Sequence, residues 1–249
     1  MPQQRLLDPA EELLREVCFN DIAKIPILLQ QRASLTPLEK TQVGLIMIAL
    51  QPKVIVETGV WRGRTTRFLS EFLTYNQITG MIYGFDFPDV IDELHEIDPF
   101  FKNVINVDFV KGALPASMKE WLAKNSSLMI DFAVVDATHS YNAVYDELAL
   151  ISSHLSKDGY IFCHDYDLDE KSHVGVALAV EDFCRKFDFT VMPLLSRPPT
   201  PKTDASWQAA LLRRKLKPTW NQRLTHWRAD ARERYPRLTA LIRKLRNMK

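Results

Sequence analysis

"VIVETGVWRGRTTRFL", residues 54–69, decides the fold. Val54 to Val56 are β-branched and suit a pleated strand, Glu57 ends the run, and Gly59 and Gly63 bracket a turn that opens a helical pattern. A strand, a glycine turn and a helix in that order make the first unit of an α/β sheet.

Working outward, the same alternation repeats. "KVIVE", "MIYGFD", "VINVDFV", "IDFAVVD" and "GYIFCHD" read as strands separated by helical stretches, with weaker strands in "FTVMPLL" and "WQAALL". Such alternation predicts a mostly parallel sheet flanked by helices. Upstream, Asp8-Pro9-Ala10-Glu11 and Thr36-Pro37-Leu38-Glu39 each place a capping side chain, a proline and a glutamate that reaches back, so both open helices. After the fourth strand, Tyr141, Val144, Leu148, Ile151 and Leu155 recur at helical spacing, and Gly159 suits the turn out of that helix. The expected organisation is an N-terminal helical cap over 1–50, a sheet domain over 51–213 and a helical tail over 214–249.

The chain has 249 residues, of which 46% are apolar, enough for one sizeable core. Its longest apolar run, residues 43–50, falls well short of the ~18 residues that span a bilayer. The first residues lack the basic-then-apolar order of a secretory signal. Three widely spaced cysteines, Cys18, Cys163 and Cys184, suggest neither a disulfide framework nor a zinc site. A cytoplasmic chain with reduced core thiols is the expectation. Charge is divided unevenly: from Arg213 to Lys249 there are 13 basic residues against 2 acids, leaving 19 against 29 elsewhere, so the net +1 splits into +11 and −10. In the tail, Leu238, Leu241, Ile242 and Leu245 share a helical stripe opposite arginines. A helix of this kind docks on an acidic protein surface, of its own chain or of a second copy in a homo-oligomer, or on a membrane surface. No base-reading motif accompanies it, which disfavours nucleic acid.

In an open parallel sheet, ligands collect at the carboxyl ends of the strands. Here those ends carry Glu57, Asp86, Lys111 with Gly112, Asp136, and His164 with Asp165. A dinucleotide is a poor fit, because the close glycine pair of its fingerprint is missing and Glu57 would repel phosphate by roughly 1–4 kcal/mol. S-adenosylmethionine reverses that sign: it has a sulfonium, an α-ammonium and a ribose diol, but no phosphate. Glu57 can attract its cationic end, and Asp86 can accept both ribose hydroxyls. Read singly, each of these residues also fits a plain turn or a strand-end cap.

Residues 54–69, "IYGFDF" and above all "IDFAVVDATHSYNAVYDELALISSHLSKDGYIFCHDY" resemble the class I S-adenosylmethionine-dependent methyltransferases. Within them, over roughly residues 40–195, the chain looks like the family-24 type, related to cephalosporin-hydroxylase-like and macrolide sugar O-methyltransferases. The resemblance implies a Rossmann-like three-layer sandwich whose seven-stranded sheet runs 3-2-1-4-5-7-6 with the last strand antiparallel. It also implies a cofactor site of Glu57, Gly59, Gly63, Asp86 and Asp136, with Gly112 and Ala113 near the adenine.

The chemistry falls at strands four and five. Neighbouring strands lie roughly 4.8 Å apart, so Asp136 and Asp165 can share one small cation, with His164 beside them. Oxygen ligands favour magnesium, which would lower the pKa of a substrate hydroxyl. His139 would accept its proton. Metal-using relatives show Glu-Asp where this chain has His164-Asp165, and an adjacent histidine and carboxylate also support base catalysis with no ion. The expected function is methyl transfer to a hydroxyl of a sugar or natural-product-like small molecule. The alternatives are an N-methyltransferase on the same fold, or a non-catalytic cofactor-binding scaffold docked through its basic tail.

Overall fold

The computed structural model describes residues 35–167, 174–194, 196 and 208–215. The helix expected at Asp8, Cys18 and the tail from residue 216 onward lie outside them. In chain order the elements are α1 (Pro37–Leu50), β1 (Val54–Thr58), α2 (Arg64–Tyr75), β2 (Met81–Asp86), α3 (Pro88–Ile97), α4 (Phe100–Asn103), β3 (Val107–Lys111), α5 (Ala116–Lys124), β4 (Ile130–Val135), α6 (Tyr141–His154), β5 (Leu155–His164), α7 (Val174–Lys186), β6 (Phe189–Leu194) and β7 (Ala209–Arg214). They form one seven-stranded sheet in the order β3-β2-β1-β4-β5-β7-β6. Strands β1 to β5 pair in parallel, and β7 runs antiparallel between β5 and β6.

Strand periodicity explains the three layers. Alternate residues point to opposite faces, so Ile55, Phe132, Val134 and Phe162 pack with Val43 and Met47 of α1 and Phe68, Leu69 and Phe72 of α2. Their neighbours Val56, Ala133, Val135 and Ile161 pack with Met118 and Leu122 of α5, Val144 and Leu148 of α6, and Val180 and Phe183 of α7. Both faces of the central strands are therefore dry, which is why those strands read as continuous apolar runs. Residue Thr36 caps α1 as expected: its hydroxyl accepts from Glu39 N (3.2 Å), and its own N–H donates to Glu39 Oε2 (2.7 Å).

Two local readings shift. The third strand begins at Val107, because Val104 closes α4 and packs with Val60, Leu94 and Phe101 while Ile105 points into solvent, 93% exposed. Helix α6 ends directly on β5 with Leu155 as its C-cap, so Gly159 does not terminate it. Gly159 lies instead in a register shift between the pairs Ile130–Leu155 and Phe132–Tyr160. A Cβ there would sit 3.0 Å from the carbonyls of Ile130 and Asp131. Cys163 and Cys184 are buried, and among the described residues no helix is long and apolar enough to cross a membrane.

Gly63 shows how tightly the first turn is built. It is the N-cap of α2 with φ +64°, and a Cβ would lie 2.6 Å from the Phe101 ring and 2.9 Å from Leu94. Backbone strain and overpacking therefore act together. Gly63→Ala should lower unfolding free energy by about 1–3 kcal/mol, read from urea denaturation; an unchanged midpoint would contradict this packing.

Candidate active site

The carboxyl ends of β1 to β5 open onto one cavity of about 750 Å³, a size suited to a small molecule. Its wall carries Gly59, Asp86, Gly112, Asp136 and Asp165, each beyond or at the end of a different strand, together with His139 and His164. The sheet thus gathers most of the site residues named from sequence. Glu57, Gly63 and Ala113 are not on the wall; Leu114 takes the place beside Gly112.

On one side, Asp86 is fixed by two backbone donors. Trp61 N donates to Oδ2 (2.8 Å) and Phe87 N to Oδ1 (2.7 Å). Each carboxylate oxygen keeps a second acceptor position, which is the requirement for binding a diol. The same bonds tie the glycine turn to the end of β2, and Trp61 reaches its donor position in the left-handed region at φ 47°. Glu57 behaves differently from the sequence expectation of an anion that attracts the ligand's cationic end. It is fully buried, and among the described residues its carboxylate has no aligned hydrogen-bond partner. Burial raises its pKa to about 8, with Asp136 and Asp86 adding to the rise and Thr66 opposing it. At neutral pH it is predominantly a neutral acid behind the wall.

Opposite lies an acid–histidine cluster. His139 Nε2 is 2.9 Å from Asp165 Oδ2. His164 Nδ1 stands 3.2 Å from Asp136 Oδ1 and 3.3 Å from Asp165 Oδ2. These are ion-pair distances, and among the described residues no aligned hydrogen bond satisfies the buried Nδ1. Burial alone would lower the His164 pKa; Asp136, Asp165 and Glu39 outweigh it and push it up to about 12. Asp165 holds φ 56°, a left-handed conformation that aspartate tolerates better than most residues. One atom each from Asp136, His164 and Asp165 lie within 4.8 Å of one another. The spacing between adjacent ligands of an octahedral ion is about 3 Å for metal–ligand bonds near 2.1 Å. Both that nitrogen and the spacing fit a divalent cation.

One participant was not anticipated. Glu39 of α1 is buried, and its Oε2 faces His164 Nε2 at 3.7 Å. Its Oε1 accepts from Ser196 Oγ (2.5 Å), which in turn accepts from Gln208 N (2.9 Å). The sequence shows Glu39 only as a capping glutamate, and nothing local connects it to a histidine 125 positions away. Tyr141 and Tyr166 donate to Asp182 and Glu181 and are not on the cavity wall.

Residues 56–166 match a family model described as a methyltransferase domain. No curated protein matches significantly. Among solved structures, an O-methyltransferase from Bacillus cereus in complex with SAH is 14% identical, with TM-score 0.55, over 84% of this chain and 92% of that one. The O-methyltransferase TomG from Streptomyces achromogenes, in complex with SAM, is 12% identical with TM-score 0.55 over 85% and 98%. The calicheamicin-biosynthesis enzyme CalS11, a TDP-rhamnose 3'-O-methyltransferase, is 23% identical with TM-score 0.52 over 82% and 90%. At these identities the likeness is one of fold.

The buried Glu57 has a consequence for stability. In the unfolded chain it loses its proton near the ordinary value of 4.5, while the fold retains it to about 8. Its contribution is therefore fully present below pH 4.5 and is lost as pH rises toward 8. Relative to wild type, Glu57→Gln should gain stability through that window, by at most about 1.4 kcal/mol per pH unit. Urea denaturation of both proteins between pH 4.5 and 8.5 checks this; parallel curves would contradict it.

Proposed function

We propose that this chain, whose residues 56–166 match a methyltransferase domain model, is a class I S-adenosylmethionine-dependent enzyme that methylates a hydroxyl oxygen of a sugar or natural-product-like small molecule. The observation that carries this reading is the His139–Asp165 pair, 2.9 Å apart, on the same cavity wall as the doubly anchored Asp86. The O-methyltransferases among the fold neighbours, one of them acting on a sugar nucleotide, support the acceptor class.

Asp86 accepts the two ribose hydroxyls of the methyl donor, and Gly59 and Gly112 line the wall beside it. Asp165 accepts a hydrogen bond from His139 Nε2–H, which leaves Nδ1 as the nitrogen with the lone pair. His139 then removes the acceptor's hydroxyl proton as the methyl group moves in line from sulfur to oxygen. The S–CH3 bond breaks as the O–CH3 bond forms, and the products are S-adenosylhomocysteine, a methyl ether and a proton on His139. Asp136, His164 and Asp165 would hold a divalent ion such as magnesium, which when bound lowers the pKa of the acceptor hydroxyl and orients it.

Replacing the base should slow chemistry and leave donor binding alone. His139→Ala should reduce kcat by about 10²- to 10⁴-fold with an unchanged dissociation constant for S-adenosylmethionine. The readout is S-adenosylhomocysteine formation over a panel of sugars, sugar nucleotides and glycosides. Wild-type protein that binds the donor but methylates none of them would favour a non-catalytic scaffold.

A further inference from the structure

We propose that His164, backed by Glu39, turns this into a mixed nitrogen–oxygen site that selects manganese-class ions over magnesium; the inference rests on the reading that the Asp136–His164–Asp165 cluster holds a divalent ion.

Magnesium favours an all-oxygen shell, whereas manganese, iron and cobalt accept an imidazole readily. A ligating imidazole gives up its proton when the ion binds, and it must be correctly turned. Proteins orient it by pairing its second nitrogen with a carboxylate, which also raises the basicity of the ligating one. Here Nε2 of His164 faces Glu39 Oε2 at 3.7 Å, an ion-pair contact longer than a hydrogen bond, and Nδ1 lies 3.2 and 3.3 Å from Asp136 and Asp165 with no aligned hydrogen bond among the described residues. Glu39 is itself immobilised. One oxygen receives Thr36 N (2.7 Å) and the other Ser196 Oγ (2.5 Å), and its side chain is 1% exposed. The capping box that starts α1 therefore doubles as the support that aims His164 into the cluster. Glu39 acts through His164 and is a positioning residue.

The test uses metal-stripped full-length protein. Mn²⁺ and Mg²⁺ are titrated separately by calorimetry into wild type, His164→Glu and Glu39→Gln, and electron spin-echo modulation of the Mn²⁺-loaded samples reports a nitrogen ligand directly. Glutamine preserves the capping box, so Glu39→Gln keeps the fold, with the urea midpoint as control; should His164→Glu not fold, the wild-type echo and Glu39→Gln decide. Expected are ¹⁴N modulation in wild type that disappears in His164→Glu, at least a tenfold fall in the manganese-to-magnesium preference in that variant, and about a 10- to 100-fold loss of Mn²⁺ affinity in Glu39→Gln. Bound Mn²⁺ with no ¹⁴N coupling, an unchanged preference in His164→Glu, or no ion binding at all would each overturn the proposal. Donor binding measured on the same samples shows separately whether the methyltransferase reading stands.

Discussion

The site depends on a close backbone contact between the loops that follow the two central strands. Gly59, just beyond β1 at φ +85°, lies so near the turn after β4 that a Cβ would sit 2.3 Å from Asp136 O and 2.6 Å from Ala137 Cα. Backbone cannot yield as a side-chain tip can, so residue 59 can carry no side chain. The contact joins the halves of the site. On the β1 side, the turn delivers Trp61 N to Asp86; on the β4 side, the loop carries Asp136 and His139. The glycine read from sequence as one bracket of a turn is also what lets two strand ends meet.

Charge is the second organising feature. Glu39, Glu57 and Glu147 are all fully buried, and burial makes an unpaired carboxylate costly. The fold meets this cost in two ways. Glu57 and Glu147 are kept near neutral, with pKa values raised to about 8 and about 7, chiefly by desolvation. Glu39, Asp136 and Asp165 instead surround the imidazole of His164. Removing cationic character from that position would leave three acids facing one another, which is why one histidine links the helical layer, β4 and β5.

Most of the sheet was legible because its signals are local. Strands buried on both faces read as apolar runs, Thr36-Pro37-Leu38-Glu39 carries its capping chemistry within four residues, and the acids at strand ends mark the edge where ligands collect. The strand order came from resemblance, not from periodicity, since periodicity says nothing about neighbours. What sequence could not show depends on distance and burial. Glu57 reads as a ligand-facing anion and is a buried acid, because its position in β1 puts it between layers. Glu39 meets His164 only through the packing of α1 on the sheet. The start of β3 moved because Val104 was claimed by a neighbouring apolar cluster, a tertiary effect invisible in a run of β-formers.

The central claim is that these strand ends form a binding site for S-adenosylmethionine organised around Asp86. Calorimetric titration of wild type and Asp86→Ala with S-adenosylmethionine and S-adenosylhomocysteine tests it most directly. Wild type should bind both, with a dissociation constant on the order of micromolar (about −8 kcal/mol), and Asp86→Ala should lose that binding while keeping its fold by circular dichroism. A folded wild-type protein that binds neither ligand would contradict the account, leaving the glycine turn as a structural turn alone.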